Sequence, residues 1–423
     1  MSALAEQAAL DIPLSQIDVS QPAIYRDDTW QALFARLRRE APVHYLADSP
    51  VGPFWSVTTH ALIKEVDGNH EAFSSEAGGI SLLDDVSGDR EVASDIDGVQ
   101  GFITMDPPKH AAQRKAVQPV VAPHNLATLE PLIRERVIDI LEGLPMDTTF
   151  NWVEAVSIEL TARMLATILD FPYEERNKLI HWSDLVTDIP LLTGGKSVDP
   201  KYRNDELVSC AMAFHQLWHE RKAQAPKADL ISMLVHNKAT ENMIDDPKLF
   251  MGNLFTLIVG GNDTTRNTIS GGLLALNRYP DEYEKLRKDR SLIPNMVAEF
   301  IRWQTPLIHM RRTATCDIEL GGQQIKAGDK VVMWYLSGNR DESVFNDAES
   351  LMIDRANARQ HVSFGYGIHR CMGNRLAEMQ LKVLWEEIMS RFERIEVVGD
   401  AERIANSWVR GIQNLPVRVH ARD

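Results

Sequence analysis

Apolar positions recur with helical spacing almost without interruption from residue 106 to residue 306, and the main break is a Gly/Pro-rich connection at residues 189–200. Earlier, between residues 42 and 72, short β-like pieces (VHYL, FWSV) alternate with a helical patch. A long irregular stretch follows at residues 73–105, where Asp84, Asp85, Asp89, Glu91, Asp95 and Asp97 face a lone Arg90. Loops of that length inside a compact fold tend to be functional lids or disordered. After the helical region, IELGGQQIKAGDKVVMWY holds two apolar pieces around Gly321-Gly322 and predicts a hairpin. A second irregular stretch, residues 337–373, leads into an amphipathic helix in which Leu376, Leu381, Leu384, Ile388 and Phe392 fall near helical spacing. The pattern predicts a mainly α, helix-dominated fold with small β-sheets at its margins. Neither a repeat period nor a flexible linker is visible in it.

Length alone suggests something else, because 423 residues at about 150 per domain predict two or three domains. Lys and Arg total 45 against 60 Asp and Glu, a formal charge of −15, with 25% charged and 44% hydrophobic residues. Those shares are globular and exclude disorder, collagen and coiled coil. An acidic balance without a Lys/Arg block argues against nucleic acid, whose binding rests on phosphate neutralisation. Cys210, Cys316 and Cys371 form no C-x-x-C pair, so neither a disulfide scaffold nor a structural zinc site is expected. The first basic residue is Arg26, the wrong charge order for a secretory signal. Apolar runs at residues 254–259 and 331–336 fall far short of a membrane span of about 20 residues. The expectation is a cytoplasmic protein without a membrane span, in a reducing compartment.

The most informative segment, Phe364-Gly365-Tyr366-Gly367-Ile368-His369-Arg370-Cys371-Met372-Gly373, stands directly before the last helix. A cysteine after closely spaced glycines can sit where backbone N–H groups and a helix N-terminus face its sulfur, which lowers a thiol's pKa. A thiolate held in this way can ligate haem iron. A small buried cysteine in a tight turn is the bland alternative. The segment resembles the ligand loop of the cytochrome P450 family, F-G-x-G-x-H-x-C-x-G. Six residue types match in register, and five alone would recur by chance only about once in 10⁴ chains of this length. The resemblance implies haem b with Cys371 as iron ligand, and Phe364, Gly365 and Gly373 against the cofactor.

Residues 248–277 read as one long helix with a weak centre, Gly260-Gly261-Asn262-Asp263-Thr264-Thr265. Each glycine there costs up to about 1 kcal/mol relative to alanine. A hydroxyl at Thr264 can bond the Gly260 carbonyl, which loosens the ladder, kinks the helix and opens a groove. This segment resembles the oxygen-activating helix of the same family, (A/G)-G-x-(D/E)-T-T. The resemblance implies that Thr264 assists oxygen activation through water and that Asp263 relays protons from solvent.

Haem carries two propionates, so its site needs cations. Asp106-Pro107-Pro108 predicts a helix start with Asp106 as N-cap, after which His110 and Arg114 lie four apart on one face. In family terms D-P-P-x-H-x-x-x-R resembles the propionate-binding helix, and Arg312 and His361 match two further propionate contacts. Glu299 and Arg302, followed by Pro306, resemble the family's E-x-x-R helix, whose partly buried pair fixes geometry. The family's third arginine falls where this chain reads Ser350-Leu351, and Arg355 is a candidate stand-in. Gly194-Gly195-Lys196-Ser197 looks like the end of a phosphate loop, but the glycine required earlier is Pro190, and Asp199-Pro200 stops the helix that should follow. A surface loop is expected there.

The resemblance covers nearly the whole chain. VGGNDTTRN, EFIRWQTPLIHMRRTA and FGYGIHRCMGNRLAEMQ are most similar to the bacterial branch that hydroxylates n-alkanes and fatty acids at or near the chain terminus. That branch implies a narrow apolar pocket built from Ile80, Leu82 and Leu83, from Leu257, Ile258 and Gly261, from Leu307, Ile308 and Met310, and from Val409 and Ile412. Compact terpenes or other ring compounds are the alternative substrates. A haem-binding sensor without turnover and a peroxide-driven hydroxylase are the alternative functions, and a sensor has no need of the Asp263-Thr264 pair. No flavin- or iron–sulfur-binding segment is visible, so electrons are expected from a separate ferredoxin and ferredoxin reductase. Lys115, Arg370, Arg375 and Lys382 are the expected docking cations, on a monomer. Because haem contacts are implied from His110 to Cys371, residues 1–423 are expected to form one large domain around the cofactor.

Overall fold

In the computed structural model, which describes residues 7, 9–83, 101–195 and 198–422, the helical spacing resolves into eleven helices of nine residues or more. Asp84, Asp85, Asp89, Arg90, Glu91, Asp95, Asp97, Lys196 and Ser197 lie outside the described residues. In chain order the helices are α1 (Gln31–Glu40), α2 (His60–Gly68), α3 (Lys109–Val117), α4 (Pro123–Glu142), α5 (Glu159–Leu169), α6 (Asn177–Thr187), α7 (Pro200–Lys222), α8 (Pro247–Arg278), α9 (Pro280–Lys288), α10 (Ile293–Gln304) and α11 (Asn374–Arg391). Asp199-Pro200 opens α7: the Asp199 carboxylate accepts from the Tyr202 amide at 3.0 Å.

The axis is α8, whose 32 residues span about 48 Å at 1.5 Å per residue. Asp246 caps it by accepting from the Lys248 and Leu249 amides, with Pro247 in the first turn. Its second half is buried on nearly every side because its residues are small enough to admit neighbours. A Cβ on Gly271 would stand 2.2 Å from Gln304 Oε1, and one on Gly272 would stand 2.5 Å from the Phe300 ring, so both glycines are set by the close approach of α10. Leu273, Phe300, Ile133, Leu160, Trp385 and Ile388 make one core cluster where α8 meets α4, α5, α10 and α11. Leu165, Leu179, Trp182, Phe214, Trp218 and Leu254 make a second one around its first half.

The sheets lie at the margins, as the alternating pieces predict. VHYL and FWSV pair antiparallel as Val43–Leu46 and Phe54–Val57. They continue into Lys330–Met333, Met310–Ala314 and Phe73–Ser74 to complete a five-stranded sheet. The expected hairpin forms between Ile318–Leu320 and Gln323–Ile325 across Gly321 and Gly322, whose φ values of +53° and +79° suit glycine. Phe392 leaves α11 to start Phe392–Val397, which pairs with Pro416–Ala421. Among the described residues, no helix is long and apolar enough to cross a membrane.

Glu299 and Arg302 on α10 are completely buried and pair through two 2.7 Å contacts. Arg355 is the third member of the network, with Nε 3.0 Å from Glu299 Oε1. Ser350 contributes its carbonyl, accepting from both arginines at 2.9 and 3.1 Å. The missing arginine at Ser350-Leu351 is thus replaced from a few residues further along the same segment.

Candidate functional site

Cys371 sits on a loop whose turns need glycine. Gly365 and Gly367 have φ of +67° and +68°, and a Cβ on Gly367 would stand 2.3 Å from the Asp67 carbonyl oxygen. The loop closes where the Cys371 amide donates to the Phe364 carbonyl at 2.7 Å. The exposed surface of Cys371 forms part of the wall of a cavity of about 480 Å³. Surrounding protein pushes the thiol pKa up, while the Gly373 and Asn374 amides and the Arg114 and Arg370 charges pull it down. Burial outweighs those donors, which corrects the expectation of a thiol depressed by the protein alone. The charge of a coordinated metal ion is what deprotonates such a thiol outright.

Another part of that wall is α8. Thr264 Oγ1 donates to the Gly260 carbonyl at 3.0 Å, as its spacing predicts. The helix runs continuously from Pro247 to Arg278 around that bond. The groove comes from missing side chains, since a Cβ on Gly260 would meet no atom within 4 Å. Gly261 is different, because a Cβ there would stand 2.8 Å from Leu165 Cδ2.

Asp263 lines the same cavity and is buried. Its carboxylate pairs with the Arg266 guanidinium at 2.9 Å and accepts from Asn262 at 3.0 Å and Ser183 at 3.4 Å. Arg266 also reaches Asp184 at 2.7 Å, and the Asp184 side chain is 52% exposed. The three charges therefore run from the cavity to the surface. Burial pushes Asp263 up to about 6, against the pull of Arg266. A carboxyl in that range can take or give a proton near neutrality.

Arg114, Arg312 and His369 line the cavity. Arg114 donates to the Arg370 carbonyl at 2.5 Å, and Arg312 pairs with Asp67 at 2.7 Å. The His110 and His369 rings lie 4.3 Å apart. His110 Nε2 and both ring nitrogens of His369 are buried without a partner, and burial pushes both imidazoles down. Neither His110 nor His361 is among the residues lining the cavity; the His361 ring lies 5.2 Å from Phe364, and its Nδ1 is also buried without a partner. His369, which does line the cavity, is a further candidate for a propionate contact. It was visible as a fixed position of the cysteine motif, and its position two residues before Cys371 could have identified it. Asp106 is also corrected: its carboxylate accepts from Ser74 Oγ and, at 3.0 Å, from the Ser75 amide, and α3 begins only at Lys109.

Unpartnered buried imidazole nitrogens beside two guanidinium groups form a donor set that two carboxylates would satisfy. With Cys371 and α8 on the walls of one cavity, the residues present fit haem.

Of the expected pocket residues, Ile80, Leu257, Gly261, Leu307, Met310 and Val409 line the cavity. Leu82, Leu83 and Ile308 pack instead in a core cluster with Trp334, Ile258 in the cluster around the first half of α8, and Ile412 in the cluster around its second half. Leu307 and Leu257 turn to the cavity, while their neighbours Ile308 and Ile258 turn into the clusters behind it. Phe102, Leu165, Leu207, Phe255 and Trp408 also line it and were missed: helical spacing marks Leu165, Leu207 and Phe255 only as core, and Phe102 and Trp408 lie in irregular segments that carry no periodic signal. Lys115, Arg370 and Arg375 are exposed. Lys382 is half-buried between Glu130 and Glu386, at 3.9 and 3.5 Å, and is already paired.

The family model described as Cytochrome P450 matches residues 200–418. Over 407 residues the chain is 35% identical to linalool 8-monooxygenase of Pseudomonas putida, covering 95% of this chain and 98% of the relative. Among solved structures it is similar to cytochrome P450-153 from Novosphingobium aromaticivorans, with 45% identity and a TM-score of 0.87 over 96% of this chain and 99% of that one. It is also similar to CYP153D17 from Sphingomonas sp. PAMC 26605, with 47% identity and a TM-score of 0.89 over 96% of this chain and 100% of that one.

Proposed function

Because the chain belongs to the cytochrome P450 family, and so is a monooxygenase that uses O2 and haem with a cysteine thiolate ligand, we propose that it hydroxylates the terminal carbon of medium-chain n-alkanes or fatty acids. The observation that carries this reading is a single cavity in which Cys371, Asp263 and Thr264 share walls with Ile80, Leu257, Leu307, Met310 and Val409. When bound through the Cys371 sulfur, haem supplies the oxygen chemistry: one atom of O2 enters a C–H bond and the other leaves as water, with two electrons and two protons consumed.

The chain's own residues do the rest. The Gly373 and Asn374 amides orient the Cys371 sulfur. His110, Arg114, Arg312 and His369 hold the propionates, with Phe364, Gly365 and Gly373 against the cofactor. Asp263 takes up and releases a proton at its carboxylate, and Arg266 and Asp184 connect it to solvent. Thr264 donates its hydroxyl hydrogen to the Gly260 carbonyl, so its oxygen is left to accept a hydrogen bond, and Asp263 would supply the proton through water. Terminal selectivity opposes bond strength, because a primary C–H bond is harder to cleave than a secondary one. It must come from apolar walls that admit the chain end-on.

Electrons arrive from a ferredoxin and its reductase across the face bearing Lys115, Arg370 and Arg375, and the enzyme works in the cytoplasm as a monomer of one domain. The 35% identity to a linalool monooxygenase favours a second reading, a compact terpene. Spin-state titrations of the ferric protein decide between them. Octane and decanoate should each shift the Soret band at lower concentration than linalool. A shift with linalool and none with octane or decanoate moves the substrate to terpenes.

A further inference from the structure

Asp67, near the C-terminus of α2, is 2% exposed and does not reach the cavity. Its carboxylate nevertheless gathers three donors. Oδ1 accepts from Arg312 Nη2 at 2.7 Å, and Oδ2 accepts from the Tyr335 hydroxyl at 2.9 Å and from the Tyr366 amide at 2.7 Å. Two of these donors belong to cavity-lining side chains, Arg312 and Tyr335, and the third lies in the cysteine loop. The loop's glycines are shaped to the same residue. A Cβ on Gly365 would stand 3.1 Å from Asp67 Oδ2 and 3.2 Å from the Tyr335 hydroxyl, and one on Gly367 would collide with the Asp67 carbonyl.

We propose that Asp67 is a positioning residue for the cofactor: it seats the Cys371 loop and sets how much positive charge Arg312 presents to the haem. The inference rests on the haem reading above. A buried guanidinium needs a counter-charge, and Asp67 supplies one from behind, with the two side chains 4% and 1% exposed. Asp67→Asn preserves the size of the side chain and one of its two acceptor oxygens, but removes the charge. Arg312 then acts on the haem uncompensated, and a nearby positive charge favours the form of the iron with one more electron.

Four holoproteins test this: the parent, Asp67→Asn, Arg312→Gln and the double variant, each titrated for reduction potential. The single Asp67→Asn change should raise the potential. In the Arg312→Gln background the same change should shift it by less than half as much, because the guanidinium whose charge Asp67 offsets is no longer there. An unchanged or lowered potential in Asp67→Asn overturns the proposal, as does an equal shift in both backgrounds. A parent protein that takes up no haem overturns the haem reading, and the proposal with it. Should Asp67→Asn not fold, Tyr335→Phe carries the test. Loss of the phenol donor leaves the carboxylate more strongly negative, so the potential should fall, and an unchanged or raised value overturns the proposal.

Discussion

The Arg266 guanidinium lies 2.9 Å from the Asp263 carboxylate, one turn back along α8. With Asp184 at 2.7 Å on its other side, it links a buried acid to an exposed one. Burial raises Asp263 to about 6, so the folded protein holds this proton more tightly than the unfolded chain does. The associated stabilisation is complete below about pH 4 and is lost as pH rises through 6, a change on the order of 3 kcal/mol. Asp263→Asn should therefore flatten the fall in stability between pH 4 and 7, read as the difference between parent and variant in urea denaturation. It should also lower kcat by about 10²-fold or more, the usual worth of a positioned proton donor. A variant with the parent's kcat would remove Asp263 from the proton path.

The Glu299 network makes a prediction about stability alone. Its carboxylate serves Arg302 twice at 2.7 Å and Arg355 once at 3.0 Å, all of them buried. Removing one partner of a buried pair costs about 3–5 kcal/mol because the other charge stays behind. Glu299→Gln should lose that much in chemical denaturation, and Arg355→Leu a comparable amount. Arg355→Lys should not restore it, since an ammonium cannot also reach the Asn346, Asp347 and Ser350 carbonyls that the guanidinium serves.

His369 and His361 can be separated by haem retention. His369 lines the cavity with both ring nitrogens unpartnered, whereas His361 packs on Phe364 away from it. A hydrogen bond to a charged group is worth about 1.5–3 kcal/mol. His369→Ala should thus speed haem transfer to apomyoglobin by roughly 10- to 100-fold, and His361→Ala should leave it unchanged. The reverse result would return the propionate contact to His361.

These cases mark where the sequence is legible. The reading of α8 as residues 248–277 differs from the observed Pro247–Arg278 by one residue at each end, because caps and periodicity are local signals. The turn at Gly321-Gly322, the Thr264 to Gly260 bond and the cysteine loop were readable for the same reason. What failed depends on contacts distant in the chain. Whether Leu307 or Ile308 faces the cavity is settled by the bridge between Leu307 and Val409, about a hundred residues away. The thiol of Cys371 is raised because surrounding protein desolvates it, and no motif reports desolvation. Asp67 looks like an ordinary helix-end acid until Arg312, Tyr335 and Tyr366 are brought to it.

Docking of the electron donor should discriminate among the four cations on the cysteine face. Lys115, Arg370 and Arg375 are exposed, but Lys382 is held by Glu130 and Glu386. Long-range attraction acts mainly through unpaired charge and fades with salt. Arg375→Glu should raise the apparent ferredoxin KM several-fold at low ionic strength, with the effect shrinking at high salt. Lys382→Glu should change it less. Equal effects at both positions, or none at Arg375, would place the docking surface elsewhere.

Gly260 and Gly261 are adjacent and both line the cavity, yet an added methyl meets different surroundings at each. At Gly260 it would find no atom within 4 Å, so the group projects into space that substrate can use. At Gly261 it would stand 2.8 Å from Leu165 Cδ2, and that side chain would have to move. Gly260→Ala should accordingly leave folding intact or raise stability by up to about 1 kcal/mol, the helical penalty of glycine. Gly261→Ala should cancel or reverse that gain, because overpacking costs about 1–3 kcal/mol in tight cores. Larger side chains at Gly260 then measure how substrate crosses α8. With Gly260→Leu, the Soret shift with linalool should weaken more than that with octane, because a straight chain passes a narrowed gap that a branched one does not. Equal weakening for both would mean that Gly260 limits volume alone, and unchanged titrations would mean that substrate does not pass this face of the helix.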